Sequence, residues 1–203
     1  MKGSTEGRRG SRGGGFRLGL LGIAGALALA TLPARAADDH WDDGRHWVSV
    51  RAGYARSGAR FAPGGSFGYG FGYTWFLGRS TAWSTSVGHD LLGRYGGAAE
   101  IEIPFTTEFT RHFQWSAQTR PYLGLGFGAI YHKTYRTGAD DSGFRQGLYV
   151  ATGANSSLSP GSLIGIDVRW MLEQDARSIN PTFPNGGAST SVLSAKLSLS
   201  RAF

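Results

Sequence analysis

Between residues 67 and 75 the chain alternates without a break, with Phe67, Tyr69, Phe71, Tyr73 and Trp75 at odd positions and Gly68, Gly70, Gly72 and Thr74 between them. A helix would scatter these rings around its axis, whereas an extended strand puts all of them on one face and almost no side chain on the other. The segment therefore has to be a strand. Its bulky face needs an apolar neighbour, and its bare face needs something that approaches closely.

The same period recurs along most of the chain. Val48, Val50, Ala52 and Tyr54 oppose Ser49, Arg51, Gly53 and Ala55, and a weaker strand covers about Ala82 to His89. From Ala99 to Phe109, Ile101, Ile103, Phe105, Thr107 and Phe109 oppose Glu100, Glu102 and Glu108. Leu123, Leu125, Phe127, Ala129 and Tyr131 oppose Gly124, Gly126 and Gly128, and between Phe144 and Ala154 Leu148 and Val150 oppose Arg145 and Tyr149. Ile164, Ile166, Val168 and Trp170 oppose Gly165, Asp167, Arg169 and Glu173; Leu193, Ala195, Leu197 and Leu199 oppose Ser194, Lys196, Ser198 and Ser200. Eight segments of about ten residues each suit tilted strands that cross a bilayer.

Alternation is shared by soluble sandwiches and membrane barrels, and the polar face separates them. It is rich in Gly and Ser with sparse charges of both signs, where a solvated face would carry more Lys and Glu. Small residues suit the narrow lumen of an eight-stranded barrel. The expected fold class is all-β: an eight-stranded antiparallel transmembrane β-barrel. Counted from the N-terminus, the odd connections (Ser57 to Ser66, Asp90 to Gly97, Lys133 to Gly143, Gln174 to Gly187) are longer than most even ones (Gly78 to Ser80, Asn155 to Gly161), with Arg111 to Arg120 a medium-length exception. Longer loops outside and short turns inside are the asymmetry of outer-membrane barrels. Trp47, Trp75, Trp83, Trp115 and Phe203 are expected in the inner aromatic girdle, and Tyr54, Tyr131, Phe144 and Trp170 in the outer one.

The N-terminus agrees with export. Lys2, Arg8, Arg9, Arg12 and Arg17 precede an apolar run from Leu18 to Leu32, and Ala34 and Ala36 supply an A-x-A cleavage site. Residues 1–36 are expected to be a signal peptide, 37–46 a flexible periplasmic leader, and 47–203 the barrel. Removing 1–36 takes six of the 21 basic and one of the 14 acidic residues, which leaves 15 against 13. The nearly neutral remainder gives no warrant for nucleic-acid binding. With no cysteine, the exported domain must hold itself together without disulfides.

Ile103-Pro104-Phe105-Thr106 and, after a turn, Arg120-Pro121-Tyr122-Leu123-Gly124-Leu125-Gly126-Phe127-Gly128 resemble the middle hairpin of the small outer-membrane β-barrel superfamily, to which OmpW-like and porin-family proteins belong. The resemblance covers the mature chain in pattern and this hairpin in motif, and it implies fold and outer-membrane location. Phe203, preceded by Leu199 and Leu197, resembles the C-terminal signal read by the barrel-assembly machinery. The expected partners are that machinery and the lipopolysaccharide and phospholipid of the outer membrane, with the chain a monomer.

Catalytic readings find little support. Lipid A deacylases of the PagL type place a His and a Ser two residues apart on a late strand. Here His40, His46, His89, His112 and His132 are followed two positions on by Asp42, Val48, Leu91, Gln114 and Thr134. Ser84, Ser86, His89 and Asp90 resemble a triad, but alternation puts His89 on the opposite face from both serines. The glycine runs repeat with strand period and open no helix, so they are no dinucleotide fingerprint. Asp38-Asp39-His40-Trp41-Asp42-Asp43 could offer metal ligands but reads as a solvated leader. No catalytic, cofactor or metal residue is expected.

The inward charges remain: Arg51, Glu100, Glu102, Glu108, Arg145, Asp167, Arg169 and Lys196, four acids and four bases. They are expected to form a paired plug in the lumen. The functional expectation is a non-enzymatic outer-membrane barrel, structural or passing small molecules, hydrophobic ones included, with its extracellular loops as the interaction surface. A pocket at the mouth bordered by Tyr131, Phe144 and Trp170 would mark transport. The alternative is a lipid-modifying barrel enzyme.

Overall fold

The computed structural model describes residues 40–58, 64–95, 98–135, 141–175 and 190–203. The expected signal peptide 1–36 and nearly all of the last long loop lie outside them. Eight strands follow one another: β1 (His46–Ser57), β2 (Ser66–Gly78), β3 (Thr81–Tyr95), β4 (Ala98–His112), β5 (Thr119–Tyr135), β6 (Asp141–Ser159), β7 (Ser162–Asp175) and β8 (Thr190–Ala202). Each pairs antiparallel with the next, and β1 also pairs with β8, which closes the barrel. Closure gives every strand a partner on both sides, so the barrel has no edge strand. At the seam, His46 and Phe203 exchange backbone hydrogen bonds of 3.3 and 3.0 Å, and their rings stack with centroids 5.8 Å apart.

The expected strands are all present, but most run longer than the alternation indicated. At the loop end, β3 and β4 continue past Asp90 as a hairpin whose connection narrows to residues 96–97, where the sequence reading placed a loop from Asp90 to Gly97. A bulge hides this continuation. Leu92 is the extra residue between the pairs Leu91–Ile101 and Gly93–Glu100, and Gly93 takes a φ of 116° that a residue with a Cβ adopts only under strain. Leu92 turns inward and packs with Ala55 and Val192.

The two faces invert the arrangement of a soluble protein. Large apolar side chains such as Phe71, Phe105, Leu125, Phe127, Leu148, Ile166 and Leu197 lie exposed on the outer face. Charged residues on that face, Arg56, Arg94, Arg111, Lys133 and Arg201, sit at strand ends, while Asp90, Glu102, Glu108, Asp167, Arg169, Glu173 and Lys196 are buried inside. Trp75, Trp83, Trp115, Tyr54, Phe144 and Trp170 lie outside as the girdle expectation required, Trp83 donating from Nε1 to Thr107 Oγ1 at 2.7 Å.

Trp47 does not belong to the girdle. Its place in β1 is one residue before the outward Val48, so it points inward, 4 % exposed, against Phe76 with ring centroids 4.8 Å apart. Residues 40–45, expected as part of a flexible leader, fold back onto this ring. Trp41 is 2 % exposed and stacks edge-on with Trp47 at 6.1 Å; the Trp47 indole N–H donates to the His40 carbonyl at 2.8 Å, and His40 Nε2 bonds Ser157 Oγ at 2.9 Å. Together with Phe76, Ala82, Leu163 and Ala202 they make an apolar stopper at the turn end. Its cause is hydrophobic: two indoles that water would otherwise surround are removed from it in one step.

Candidate functional site: the charged lumen

Two glycines on the inner face are notches for neighbouring rings. A Cβ on Gly126 would lie 2.2 Å from the Tyr149 ring, and one on Gly153 2.8 Å from that of Tyr122. Tyr122, Tyr149, Ile130, Ala151 and Met171 thereby meet in a second apolar cluster. This packing fixes where the charges can stand, because it leaves two levels of polar groups along the axis.

The first level is centred on Arg169. Its Nε donates to Asp167 Oδ1 at 2.8 Å, its Nη2 to Glu108 Oε1 at 2.9 Å, and its Nη1 to Ser86 Oγ and Thr106 Oγ1, both at 3.2 Å. The guanidinium also lies over the Tyr149 ring, 5.3 Å from its centroid. Asp167 accepts a further bond from the Tyr122 hydroxyl at 2.5 Å and faces Arg51 Nη1 at 3.7 Å. Two acids, Glu108 and Asp167, thus meet two bases, Arg51 and Arg169. A buried charge is tolerable when its partner and its hydrogen bonds are complete, and here the planar guanidinium spends its donors on both carboxylates at once.

The second level lies toward the loop end. Lys196 Nζ donates to Asp90 Oδ1 at 2.5 Å, and Arg145 Nη1 reaches Glu102 Oε1 at 3.3 Å and Glu173 Oε2 at 3.4 Å. His132 Nδ1 stands 3.4 Å from Glu100 Oε1 and 3.6 Å from Glu102 Oε1. Between the levels is a cavity of about 40 Å³ lined by Arg51, Asp90, Glu102, Asp167, Arg169 and Lys196 among others. A second cavity of about 30 Å³ lies below the first level, against Trp47 and His112. Each has room for roughly a few waters.

All eight residues expected in the lumen network point inward, and they divide between two clusters. Arg51, Glu108, Asp167 and Arg169 form one; Glu100, Glu102 and Arg145 belong to the other, where Lys196 binds Asp90. Asp90, Glu173 and His132 are further members that the expected network did not include. The sequence pattern places Asp90 in a loop, yet its register opposite Glu102 shows the strand continuing. His132 and Glu173 share the parity of the inward residues on β5 and β7, which is the signal that identifies them.

No catalytic grouping assembles from the sequence candidates. His89 stacks on Tyr69 at 5.3 Å on the outer face, while Ser84 and Asp90 are buried inside. Tyr131 and Phe144 pack on each other at 5.4 Å, and with Trp170 they lie on the outer face and line neither lumen cavity. An open apolar groove of about 590 Å³ instead runs along the outer face of β2–β5, between Phe71, Val87, Phe105 and Phe127.

The chain matches no family model and no curated protein sequence. It does match solved structures. Neisserial surface protein A aligns with a TM-score of 0.62 at 14% identity, over 79% of this chain and 98% of that one. The N-terminal β-barrel domain of Pseudomonas aeruginosa OprF aligns with a TM-score of 0.54 at 14% identity, over 79% and 100%. Ail, the attachment invasion locus protein of Yersinia pestis, aligns with a TM-score of 0.53 at 13% identity, over 79% and 99%. At such identities the likeness is one of fold.

Proposed function

We propose that this chain, whose fold is that of the small eight-stranded outer-membrane β-barrels, is an integral outer-membrane protein that works as a sealed, non-catalytic anchor. Its interaction surface is then the set of connections after β1, β3, β5 and β7. The observation that carries this reading is the filled lumen. Two levels of charged groups, two tyrosines and an indole stopper leave internal cavities of about 40 and 30 Å³ among the described residues, too small for a solute to pass. Membrane residence is supported by the outer face, where apolar side chains meet the surroundings and charge is confined to strand ends, because hydrocarbon admits only structures whose backbone groups are satisfied internally.

The transport alternative requires an apolar cavity at the loop-end rim bordered by Tyr131, Phe144 and Trp170, and these rings lie on the outer wall instead. The lipid-modifying alternative requires an outward or rim-facing nucleophile and histidine within hydrogen-bond reach; the sequence holds no His-x-Ser pair, and the His40–Ser157 bond of 2.9 Å belongs to the buried stopper at the turn end. The test is reconstitution into planar bilayers and liposomes, alongside fractionation of the native membranes. The expected results are conductance no greater than that of lipid alone, no uptake of sugars or small apolar dyes, and a heat-sensitive gel mobility in the outer-membrane fraction. A steady ohmic current, or deacylated lipid A after incubation, would overturn the reading.

A further inference from the structure

The two levels of lumen charge differ in balance. At the first, two acids face two bases. At the second, four acids, Asp90, Glu100, Glu102 and Glu173, stand with two strong bases, Arg145 and Lys196, and with His132 among the described residues. The register sharpens the conflict. Asp90 stands directly opposite Glu102 across β3 and β4, and like charges so placed repel. Glu102 in turn stands directly opposite His132 across β4 and β5, and Glu100 opposite Thr134.

The two distances from the His132 ring to the carboxylates suit ligands that share an ion. His132 Nδ1 lies 3.4 Å from Glu100 Oε1 and 3.6 Å from Glu102 Oε1, and the three donor atoms all fall within 4.8 Å of one another. A charge-assisted hydrogen bond would draw such pairs to about 2.7–2.9 Å. Two ligands bound at about 2.0–2.1 Å to one tetrahedral centre stand roughly 3.4 Å apart. The other ring nitrogen is held as well: His132 Nε2 bonds Thr134 Oγ1 at 3.0 Å. With that bond donated from Nε2, Nδ1 aims its lone pair at two carboxylates, and a cation between them turns the repulsion into coordination.

We propose that Glu100, Glu102 and His132 bind one divalent transition-metal ion, with Zn²⁺ as the fitting probe, at the loop-end level of the lumen. One imidazole and two carboxylates are borderline-hard ligands suited to such an ion, and a cation there meets a level that holds more acids than strong bases. Arg145, the nearest cation, keeps Glu173 as a partner when Glu102 turns to the metal. The Glu100 side chain is 25 % accessible, so an ion reaches the site from the loop end. The site depends on the barrel register alone and stands apart from the anchoring role.

The experiment uses tag-free folded barrel in detergent, stripped with chelator and titrated with ZnCl₂ in excess Mg²⁺ by calorimetry, with bound metal counted by mass spectrometry. The expected result is one Zn²⁺ per chain, an upward shift in the heating temperature of the gel-mobility change, and at least tenfold weaker binding in His132→Ala and in Glu102→Gln. His40→Ala, which removes the imidazole of the acidic N-terminal segment, and His89→Ala, on the outer face, should bind as the unaltered protein does. Folding of each variant is read from unheated gel mobility, and Co²⁺ absorption supplies a second readout of a nitrogen ligand in Glu100→Gln. Wild-type protein that takes up no Zn²⁺, its excess charge being met by protons, would overturn the proposal, as would binding undiminished in both His132→Ala and Glu102→Gln.

Discussion

Arg169→Met is the substitution on which the account of the lumen most depends. The methionine keeps the aliphatic stem but ends short of the guanidinium, so it gives up the place over the Tyr149 ring, 5.3 Å from its centroid, together with bonds of 2.8 Å to Asp167 and 2.9 Å to Glu108. At an effective dielectric of about 20, unit charges at these separations attract by roughly 6 kcal/mol each. Against that loss stands the desolvation penalty of the guanidinium, several kcal/mol, which the methionine does not incur; a net destabilisation of about 3–5 kcal/mol follows. Most of it comes from Glu108. Its Oε2 already has no hydrogen-bond partner, whereas Asp167 keeps the Tyr122 hydroxyl at 2.5 Å and Arg51 at 3.7 Å. Glu108→Gln in the Arg169→Met background should therefore restore at least half of the loss, by about 2 kcal/mol. The assay is urea unfolding of the barrel in lipid bilayers, followed by tryptophan fluorescence and by the fraction that migrates as the compact form unheated. An Arg169→Met protein within about 1 kcal/mol of the parent, or a double variant no more stable than the single one, would refute the claim that this level is a closed ion-pair plug.

Further substitutions probe other parts of the argument. Leu125→Arg, on an outer-face position 68 % exposed, should cost about 2–4 kcal/mol in bilayers while Leu158→Arg, near the turn end of β6, costs at most about 1 kcal/mol; equal and negligible effects would point to a water-facing surface. Gly126→Ala should lower stability by about 1–3 kcal/mol because the new methyl meets the Tyr149 ring, whereas Gly143→Ala, with open space at its Cβ, should be neutral in the same urea titration. Trp41→Ala should cost about 3–5 kcal/mol and red-shift the fluorescence, where a solvated leader would leave both unchanged.

The alternation in β2 and β5 makes the faces legible from the sequence, because a period of two has only one geometric meaning when the intervening residues are glycine. The same parity assigned all eight inward charges. It could not assign their partners. Which acid meets which base depends on the stagger between strands, and that stagger is written in bulges such as Leu92 and in the packing of rings from strands far apart in sequence. Asp90 was lost for this reason: the bulge breaks the alternation just beyond it, so a continuing strand read as a loop. Trp47 shows a different failure, in which residue type outweighed position. A tryptophan near a strand end suggested a girdle, although its parity placed it with Ser49 and Arg51. Trp41 lay beyond either rule, since a short segment ahead of the first strand carries no period, and its burial depends on a gap that only the closed barrel creates.

The seam between β1 and β8 also sets an order of events. Each hairpin joins strands linked directly in the chain, but His46 and Phe203 are 157 positions apart (203 − 46), and their pairing can follow only when the other strands have come together. The entropy of bringing such distant ends together grows with the logarithm of the intervening length, by about 0.6 kcal/mol for each doubling, so the seam forms slowly and last. Until it forms, β1 and β8 each present a row of unpaired amides and carbonyls. In water that edge is merely sticky. In hydrocarbon each such group costs several kcal/mol, so a seven-hairpin sheet cannot wait there as an intermediate. Insertion and closure must then be a single kinetic step, and the rate at which the two termini meet becomes the rate at which the protein enters its membrane.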